Sequence, residues 1–171
     1  MPLVTTTIGA FPKPAYVPIS DWFGVPDGPD NPHPTGAFLD ELAAAGEAAE
    51  ALFVRAAQEV VRDQVAAGID IPTDGEVRRE NYIHYHCRHL DGIDFERLSE
   101  HLVRGNYTAY LPTVTAPIRA REAFLPDDWR VAEAATGRPV KITLPGPMTI
   151  TDTVVDAHYG DPVRLGRDLA A

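Results

Sequence analysis

Apolar and polar residues alternate along the chain in patterns that predict strands and helices in turn. Residues 3–8 are mostly β-branched and lead into Gly9, which is typical of a short buried strand that ends in a loop. A long helix is predicted after residue 34 and ends near Ala67, with Gly68 as its stop. The residues that recur at helical spacing there are Phe53, Ala57, Val60, Val61 and Val65.

The remaining chain continues this alternation. Residues 69–73 predict a second strand, and residues 77–90 predict a helix. The elements predicted next are an extended segment at 106–118, a helix at 127–137 closed by Gly137, and a strand at 139–147. A last helix begins at Pro162, with Asp161 placed to cap its N-terminus.

Strands that alternate with helices indicate parallel strands joined by right-handed crossovers, and therefore an α/β protein. Four such βα units make half of a (β/α)8 TIM barrel, whose complete form takes about 250 residues. We expect the chain, 171 residues long, to form one domain that supplies roughly the first four units of such a barrel. An open, doubly wound sheet of four strands is the alternative, although no GxGxxG sequence follows any predicted strand.

Residues 17–34 are rich in Pro, Gly and Asp and also contain Trp and Phe. Such a composition does not sustain regular structure, yet its aromatic side chains distinguish it from a plain linker. Loops of this length are commonly lids or insertions, so a functional loop or lid is expected here.

Composition excludes several classes of partner. The formal net charge is −10 and Lys and Arg form no run, which argues against a nucleic acid or an anionic membrane surface. No apolar stretch approaches the roughly 20 residues that cross a bilayer, and the N-terminus lacks the pattern of a signal peptide. The single cysteine cannot form an internal disulfide, so a cytoplasmic location is expected.

Two glycine-containing sequences that follow predicted strands are candidate sites. Gly9 in TIGAFPKP can let the backbone approach a ligand at the catalytic end of a barrel, although a simple glycine turn is the plainer explanation. In TDGE, Glu76 can reach the mouth of the barrel and accept hydrogen bonds from an ammonium group. The alternative makes Asp74 the N-cap of the next helix, and the two interpretations are compatible.

The HYHC sequence contains residue types that bind zinc. His84 and Cys87 would share one face of a helix, but His86 would point to nearly the opposite side. Because no second cluster follows, partly buried helix residues are the favoured interpretation, and a metal-binding module is the alternative.

Four sequences, taken in order, resemble one family. TTTIGAFPKP, AGIDIPTDGEVRREN, HLDGI and VKITLPGPMTI are similar to the catalytic barrel of cobalamin-independent methionine synthases, from about Val4 to the end of the chain. The resemblance implies a (β/α)8 barrel and an enzyme that transfers a methyl group to the sulfur of homocysteine. It also implies a zinc ion that binds this thiol and holds it as a thiolate.

The resemblance assigns substrate contacts to four residues. Ile8, Gly9 and Ala10 fall on the stretch that contacts homocysteine in the family, with Ala10 in place of a serine. Glu76 falls on the glutamate that binds the amino group of the amino acid. TDGE is therefore the expected substrate-binding site, whereas HYHC aligns with a segment that carries no metal ligand in the family.

Departures from the family pattern concern the methyl donor and the metal. In some members a tryptophan stacks on folate, and Thr153 stands at that position here. An Arg-Cys pair of the family aligns near Thr113 and Val114, so it is absent from this chain. Both differences argue against folate as the methyl donor. The family's zinc ligands lie in the second half of the barrel, outside this chain. We therefore expect the chain to bind part of the substrate, to carry no catalytic residue or metal ligand, and to be inactive alone.

A second polypeptide, or a missing C-terminal segment, would complete the barrel and supply the zinc ligands. The expected small molecules are homocysteine or another small thiol, together with a methyl donor. Two rival interpretations keep the fold. One is alkyl or corrinoid-linked transfer to a different thiol, and the other is a non-catalytic half-barrel that acts as a binding or regulatory subunit.

Overall fold

The structure is a computed structural model of the 171-residue chain. It describes residues 3–17, 19, 34–103 and 107–171, so most of the predicted loop or lid at 17–34 lies outside the described residues. The chain divides into two compact units. Unit 1 comprises Met1–Asp21, Leu39–Arg79 and Phe124–Thr143, and unit 2 comprises Trp22–Phe38, Glu80–Ala123 and Leu144–Ala171. The single barrel domain expected over residues 1–171 stays a prediction.

Helices and strands follow one another, with an antiparallel pair of strands in the middle. The helices of the described ranges are α1 (Pro34–Ala45), α2 (Ala48–Ala66), α3 (His84–Cys87), α4 (Leu125–Glu133), α5 (Pro147–Thr151) and α6 (Pro162–Leu169). The strands are β1 (Leu90–Val103), β2 (Tyr107–Ala120) and β3 (Val155–Asp156). None of these helices is long and apolar enough to cross a lipid bilayer.

In unit 1, α2 presents one apolar face to the core, as its spacing predicts. Phe53, Ala57 and Val61 on this face are between 0% and 4% exposed. The predicted long helix is interrupted at Gly46, whose φ of +60° takes the backbone out of helical geometry and separates α1 from α2. Gly68 follows α2 with a φ of +88°, which confirms the predicted helix stop.

Short parallel contacts join three of the predicted strands in unit 1. Thr6 pairs with Ile71, and Thr73 pairs with Lys141, each as a single parallel bridge. The segments around residues 6, 72 and 141 therefore lie side by side in that order. Parallel neighbours in this order confirm the α/β class and are consistent with part of a barrel.

Unit 2 differs from the prediction after residue 80. The helix predicted at 77–90 is wrong for most of its length, because α3 has only 4 residues and Leu90 already belongs to β1. The extended segment predicted at 106–118 is confirmed as β2, but β2 pairs with β1 as an antiparallel hairpin. A parallel pair needs a crossover of about a dozen residues or more, whereas neighbouring extended segments can pair directly through a turn.

The helix predicted at 127–137 is confirmed with shifted ends. α4 begins at Leu125, with a proline in its first turn, and ends at Glu133. The N–H groups of Ala135 and Thr136 then bond to carbonyls three residues earlier in the chain. These tighter turns end the helix before Gly137 is reached.

An apolar cluster forms the core of unit 2. Its most buried members, Cys87, Val114 and Leu165, are 0% to 1% exposed and come from α3, β2 and α6. The start of α6 is confirmed, because the Asp161 carboxylate accepts hydrogen bonds from two backbone N–H groups of the first turn. This cap fixes the helix that carries Leu165 into the core.

Candidate functional site

The TDGE sequence forms a tight turn instead of the start of a helix. Gly75 and Glu76 have consecutive φ angles of +72° and +55°, and Glu76 is the one non-glycine residue with a positive φ in the described chain. Side chains are disfavoured in this left-handed region, and such strain is concentrated at functional sites. The interpretation of Asp74 as an N-cap is wrong, because no helix of the described chain begins there.

The Glu76 carboxylate is held through one of its two oxygens. The residue is 9% exposed, and its Oε1 accepts a hydrogen bond of 2.5 Å from the Thr143 hydroxyl. Arg79 Nη1 lies 3.7 Å from the same oxygen and donates to Thr143 Oγ1 at 3.2 Å. Among the described residues, no donor forms a hydrogen bond with the second oxygen, Oε2.

Gly9 is fixed beside this carboxylate by contacts at the ends of the parallel segments. Its carbonyl accepts a hydrogen bond of 2.9 Å from Thr73 Oγ1, and the Phe11 N–H donates to the Gly75 carbonyl at 2.9 Å. A β-carbon on Gly9 would lie under 3.0 Å from Glu76 Oε1, so the arrangement requires glycine. The structure thus brings together Gly9 and Glu76, two of the four residues to which the resemblance assigns substrate contacts.

The other two, Ile8 and Ala10, lie on the surface. The Ile8 side chain is 96% exposed, and Ala10 is also exposed. Leu3 and Val4 on the same segment are 90% and 70% exposed. The substrate contacts assigned to Ile8 and Ala10 stay predictions.

A buried amide joins the ends of the parallel segments to α2. Gln64, 2% exposed, accepts hydrogen bonds from the Thr73 N–H at 3.0 Å and the Thr7 hydroxyl at 2.7 Å. It also donates to the Thr73 carbonyl at 2.9 Å, so Thr73 bonds to this side chain as it would to a neighbouring strand. Gln64 was not predicted as a site residue, although its spacing from Val60 and Val61 places it on the apolar face of α2.

Asp74 and Glu76 share one guanidinium group. Arg79, whose side chain is 2% exposed, places Nη2 3.7 Å from Asp74 Oδ2 and Nη1 3.7 Å from Glu76 Oε1. Burial raises the pKa of Asp74 to about 6; Arg79 lowers it, and the negative charges of Asp128 and Glu76 raise it. Arg79 and Thr143 were not predicted as site residues either. Arg79 follows Glu76 at the spacing of a local ion pair, whereas Thr143 carries no local signal.

The HYHC residues are buried in α3, which confirms the favoured interpretation. His84 Nδ1 lies 3.1 Å from Thr35 Oγ1, and His86 Nδ1 lies 2.9 Å from the Tyr82 carbonyl oxygen. Burial raises the pKa of the Cys87 thiol to about 12. Within the described ranges, no group of three or more His, Cys, Asp and Glu side chains could hold a metal ion.

The residues aligned with folate contacts take part in local structure. The Thr153 hydroxyl donates to the Thr149 carbonyl at 2.8 Å, and the Thr113 hydroxyl donates to the Arg97 carbonyl at 2.6 Å. Val114 is 0% exposed in the core of unit 2. None of these three side chains offers an aromatic face or a positive charge to a donor molecule.

Comparison with known proteins decides the family. A profile described as the catalytic domain of the cobalamin-independent synthase matches residues 26–164. The chain belongs to the cobalamin-independent methionine synthase family. The resemblance drawn from the four sequences is therefore confirmed.

The chain covers somewhat less than half of the methionine synthases that it matches. The methionine synthase of Saccharolobus solfataricus is 31% identical over 98% of this chain and 46% of its own length. That of Sulfolobus acidocaldarius is 30% identical over 98% of this chain and 45% of its own length. A solved B12-independent methionine synthase from a Shewanella species, in complex with selenomethionine, is 32% identical with a TM-score of 0.79. The match covers 97% of this chain and 44% of that one, so the chain spans somewhat less than half the length of these relatives.

Proposed function

We propose that unit 1 of this methionine synthase family member binds the amino-acid end of a small thiol, with homocysteine as the first candidate. Glu76 Oε2 accepts hydrogen bonds from the α-ammonium group, and the backbone at Ile8, Gly9 and Ala10 contacts the same molecule. The reaction of the complete enzyme is methyl transfer to sulfur. A sulfur–carbon bond forms while the bond between the methyl group and its donor breaks.

The observation that carries the proposal is the position of Glu76 against Gly9. The Glu76 backbone has a φ of +55°, and its side chain is 9% exposed and accepts a hydrogen bond through one oxygen. A strained backbone and a buried carboxylate both oppose the stability of the fold, so these features favour a role in binding a ligand. Its available oxygen complements an ammonium group, and charge-assisted hydrogen bonds are about twice as strong as neutral ones. The complex of the Shewanella relative with selenomethionine, an amino acid, supports this choice of ligand.

A (β/α)8 barrel is the complete fold that we propose, with this chain supplying roughly its first four units. The parallel order of the segments around residues 6, 72 and 141 supports this proposal. The remainder of the barrel comes from a second polypeptide or from a further C-terminal segment. The exposed apolar residues Leu3, Val4 and Ile8 provide a surface for that contact. We expect the isolated chain to be inactive and, given its single cysteine, to work in the cytoplasm.

Zinc is the proposed cofactor, with ligands that come from outside this chain. The described residues do not fit a zinc site, because they offer no group of three or more candidate ligands. When bound, zinc would hold the substrate sulfur as a thiolate, and the role of this chain is to hold the other end of the molecule.

The methyl donor in this proposal is not folate. Thr153, Thr113 and Val114 lack the aromatic and cationic groups expected at a folate contact, and their side chains serve local structure. The same observation favours the alternative function, in which the fold transfers an alkyl group, or a methyl group from a corrinoid, to a different thiol.

Calorimetric titration of the full chain tests the ligand. L-Homocysteine is compared near neutral pH with 4-sulfanylbutanoate, which keeps the thiol and the carboxylate but lacks the amino group. We expect Glu76→Gln to weaken homocysteine binding at least about tenfold and to leave binding of the analogue unchanged. Glu133→Gln, on the exposed surface of α4, is the matched control. Equal homocysteine affinity in the parent and in Glu76→Gln would exclude Glu76 as the ammonium contact.

Native mass spectrometry with zinc analysis tests the partner. A complex of this chain with a second chain of comparable size and about one zinc ion per pair supports a barrel shared between two chains. Methyl and alkyl donors are then assayed against several thiols on that complex. A single species without metal from the native source contradicts the shared barrel and favours a non-catalytic binding subunit.

A further inference from the structure

Asp74 contacts the same guanidinium group as Glu76. The two carboxylate side chains, 5% and 9% exposed, approach different nitrogens of Arg79 at 3.7 Å each. We propose that Asp74 is a positioning residue for the ammonium ligand of Glu76: by sharing Arg79, it prevents that guanidinium from neutralising Glu76 and keeps Oε2 available. This inference rests on the proposed function of Glu76 and adds to it the residue that sets the charge of the pocket.

The charge balance of the three side chains carries the argument. Two ionised carboxylates around one guanidinium leave one negative charge in excess, and a cationic ligand supplies the missing positive charge. When Asp74 is neutral, Arg79 and Glu76 balance each other, and Arg79 then competes with the ligand for the Glu76 carboxylate. The side chains are buried, so water and salt screen this competition weakly.

Other charged groups around Asp74 do not replace it in this role. Asp128 also faces Asp74, but Arg78 holds the Asp128 carboxylate, with Nε 3.2 Å from Oδ1. Lys13 Nζ donates to the Arg79 carbonyl at 3.0 Å. Arg78 and Lys13 keep their positive charges through neutral and mildly acidic pH.

Asp74 titrates in a range where the ligand does not. Burial raises its pKa to about 6, against the attraction of Arg79. The carboxyl group is therefore mostly neutral at about pH 5 and mostly ionised at about pH 7. The ammonium group of a free amino acid stays protonated throughout this interval. A change in affinity between these two pH values therefore reports a change of protonation in the pocket and not in the ligand.

The test is a calorimetric titration of L-homocysteine into the full chain across this pH interval. The parent is expected to lose about fivefold in affinity as the pH falls from about 7 to about 5, because Asp74 is only partly titrated at either pH. Asp74→Asn is expected to bind about tenfold more weakly than the parent at neutral pH and to show no such pH dependence. Asp63→Asn, on the exposed side of α2, is the matched control and should follow the parent at both pH values.

Each outcome decides between the two proposals. A parent that binds homocysteine through Glu76 with the same affinity at both pH values overturns the role of Asp74 and leaves the proposed function intact. The role of Asp74 is also overturned, and the proposed function left intact, if an Asp74→Asn variant that folds by circular dichroism keeps the parental affinity and pH profile. Failure of the parent to bind, or equal binding by Glu76→Gln, overturns the proposed function together with this inference. The parental pH profile needs no variant, so the test stands even if Asp74→Asn does not fold.

Discussion

The carboxylate of Glu76 occupies the space that a β-carbon on Gly9 would require. The atom nearest to that added carbon is Glu76 Oε1, well under 3.0 Å away, and the Thr143 methyl carbon lies 3.2 Å from it. Oε1 also accepts the hydrogen bond from the Thr143 hydroxyl, so it cannot move away without losing this bond. The observed position of Glu76 therefore depends on glycine at residue 9.

Replacement of Gly9 by alanine is expected to destabilise the chain by about 1–3 kcal/mol, as overpacking of a close-packed site does. The added methyl group forces the Glu76 carboxylate away from its contacts with Thr143 and Arg79. Urea denaturation followed by circular dichroism measures the change in the free energy of unfolding.

Gly137→Ala is the matched control for this substitution. Nothing lies within 4 Å of a β-carbon at Gly137, so its effect should stay within about 0.5 kcal/mol. Equal destabilisation by both substitutions would assign the effect to the backbone and not to the contact with Glu76.

Thr143 determines which oxygen of Glu76 is held and which remains available. Thr143→Val keeps the shape of the side chain and removes the hydroxyl, so we expect a loss of about 1 kcal/mol in stability. We also expect homocysteine to bind about three- to tenfold more weakly, because the carboxylate is no longer preorganised. Thr143→Ser keeps the hydroxyl and should retain most of the parental affinity. Calorimetric titration compares the three proteins, and an unchanged affinity in Thr143→Val would remove Thr143 from the site.

The sequence predicts elements whose signals are local. The stop of α2 at Gly68 and the cap of α6 at Asp161 depend on conformational preferences of neighbouring residues, and both are confirmed. The hairpin of β1 and β2 could not be predicted in the same way. An extended segment shows that it needs a strand partner, but the choice between a parallel and an antiparallel partner depends on how the whole chain is arranged.

The candidate site could be predicted only where a family motif covers it. The family motifs identify Gly9 and Glu76, which the structure places in contact. Thr143 lies in one of these sequences, VKITLPGPMTI, but the resemblance assigns it no role. Gln64 lies outside all four, and a glutamine in an amphipathic helix is an ordinary residue. Their roles come from hydrogen bonds that exist only after segments distant in sequence have been brought together.

Gln64 is expected to contribute more stability than any exposed polar residue of α2. Gln64→Leu leaves the N–H and the carbonyl of Thr73 buried without their partners, which should cost about 2–4 kcal/mol. Gln58→Leu on the same helix is the control, since Gln58 only accepts a hydrogen bond from Arg62 at the surface, and about 0.5 kcal/mol or less is expected. Urea denaturation measures both variants, and hydrogen exchange at the Thr73 amide should be faster in Gln64→Leu. A Gln64→Leu variant as stable as the parent would contradict this account.

His84 is expected to make unit 2 sensitive to acid. Its ring is buried beside Thr35 and edge-on to Phe95, and burial lowers its pKa from 6.5 to about 4. Between these values the unfolded chain binds a proton that the folded chain does not bind, so stability falls as the pH falls from 6.5 towards about 4.

His84→Gln removes this pH-dependent contribution to the stability while keeping a polar side chain next to Thr35. Relative to the variant, the parent should lose about 2 kcal/mol of stability between about pH 7 and about pH 5. His101→Gln, on the exposed surface of β1, is the control and should follow the parent. The raised pKa of Asp74 makes stability rise as the pH falls over this range, opposite to the effect of His84. Because Asp74 is present in both proteins, the difference in stability between parent and variant reports His84 alone. Parallel pH profiles of the parent and His84→Gln would show that His84 binds its proton equally well in the folded and unfolded chain.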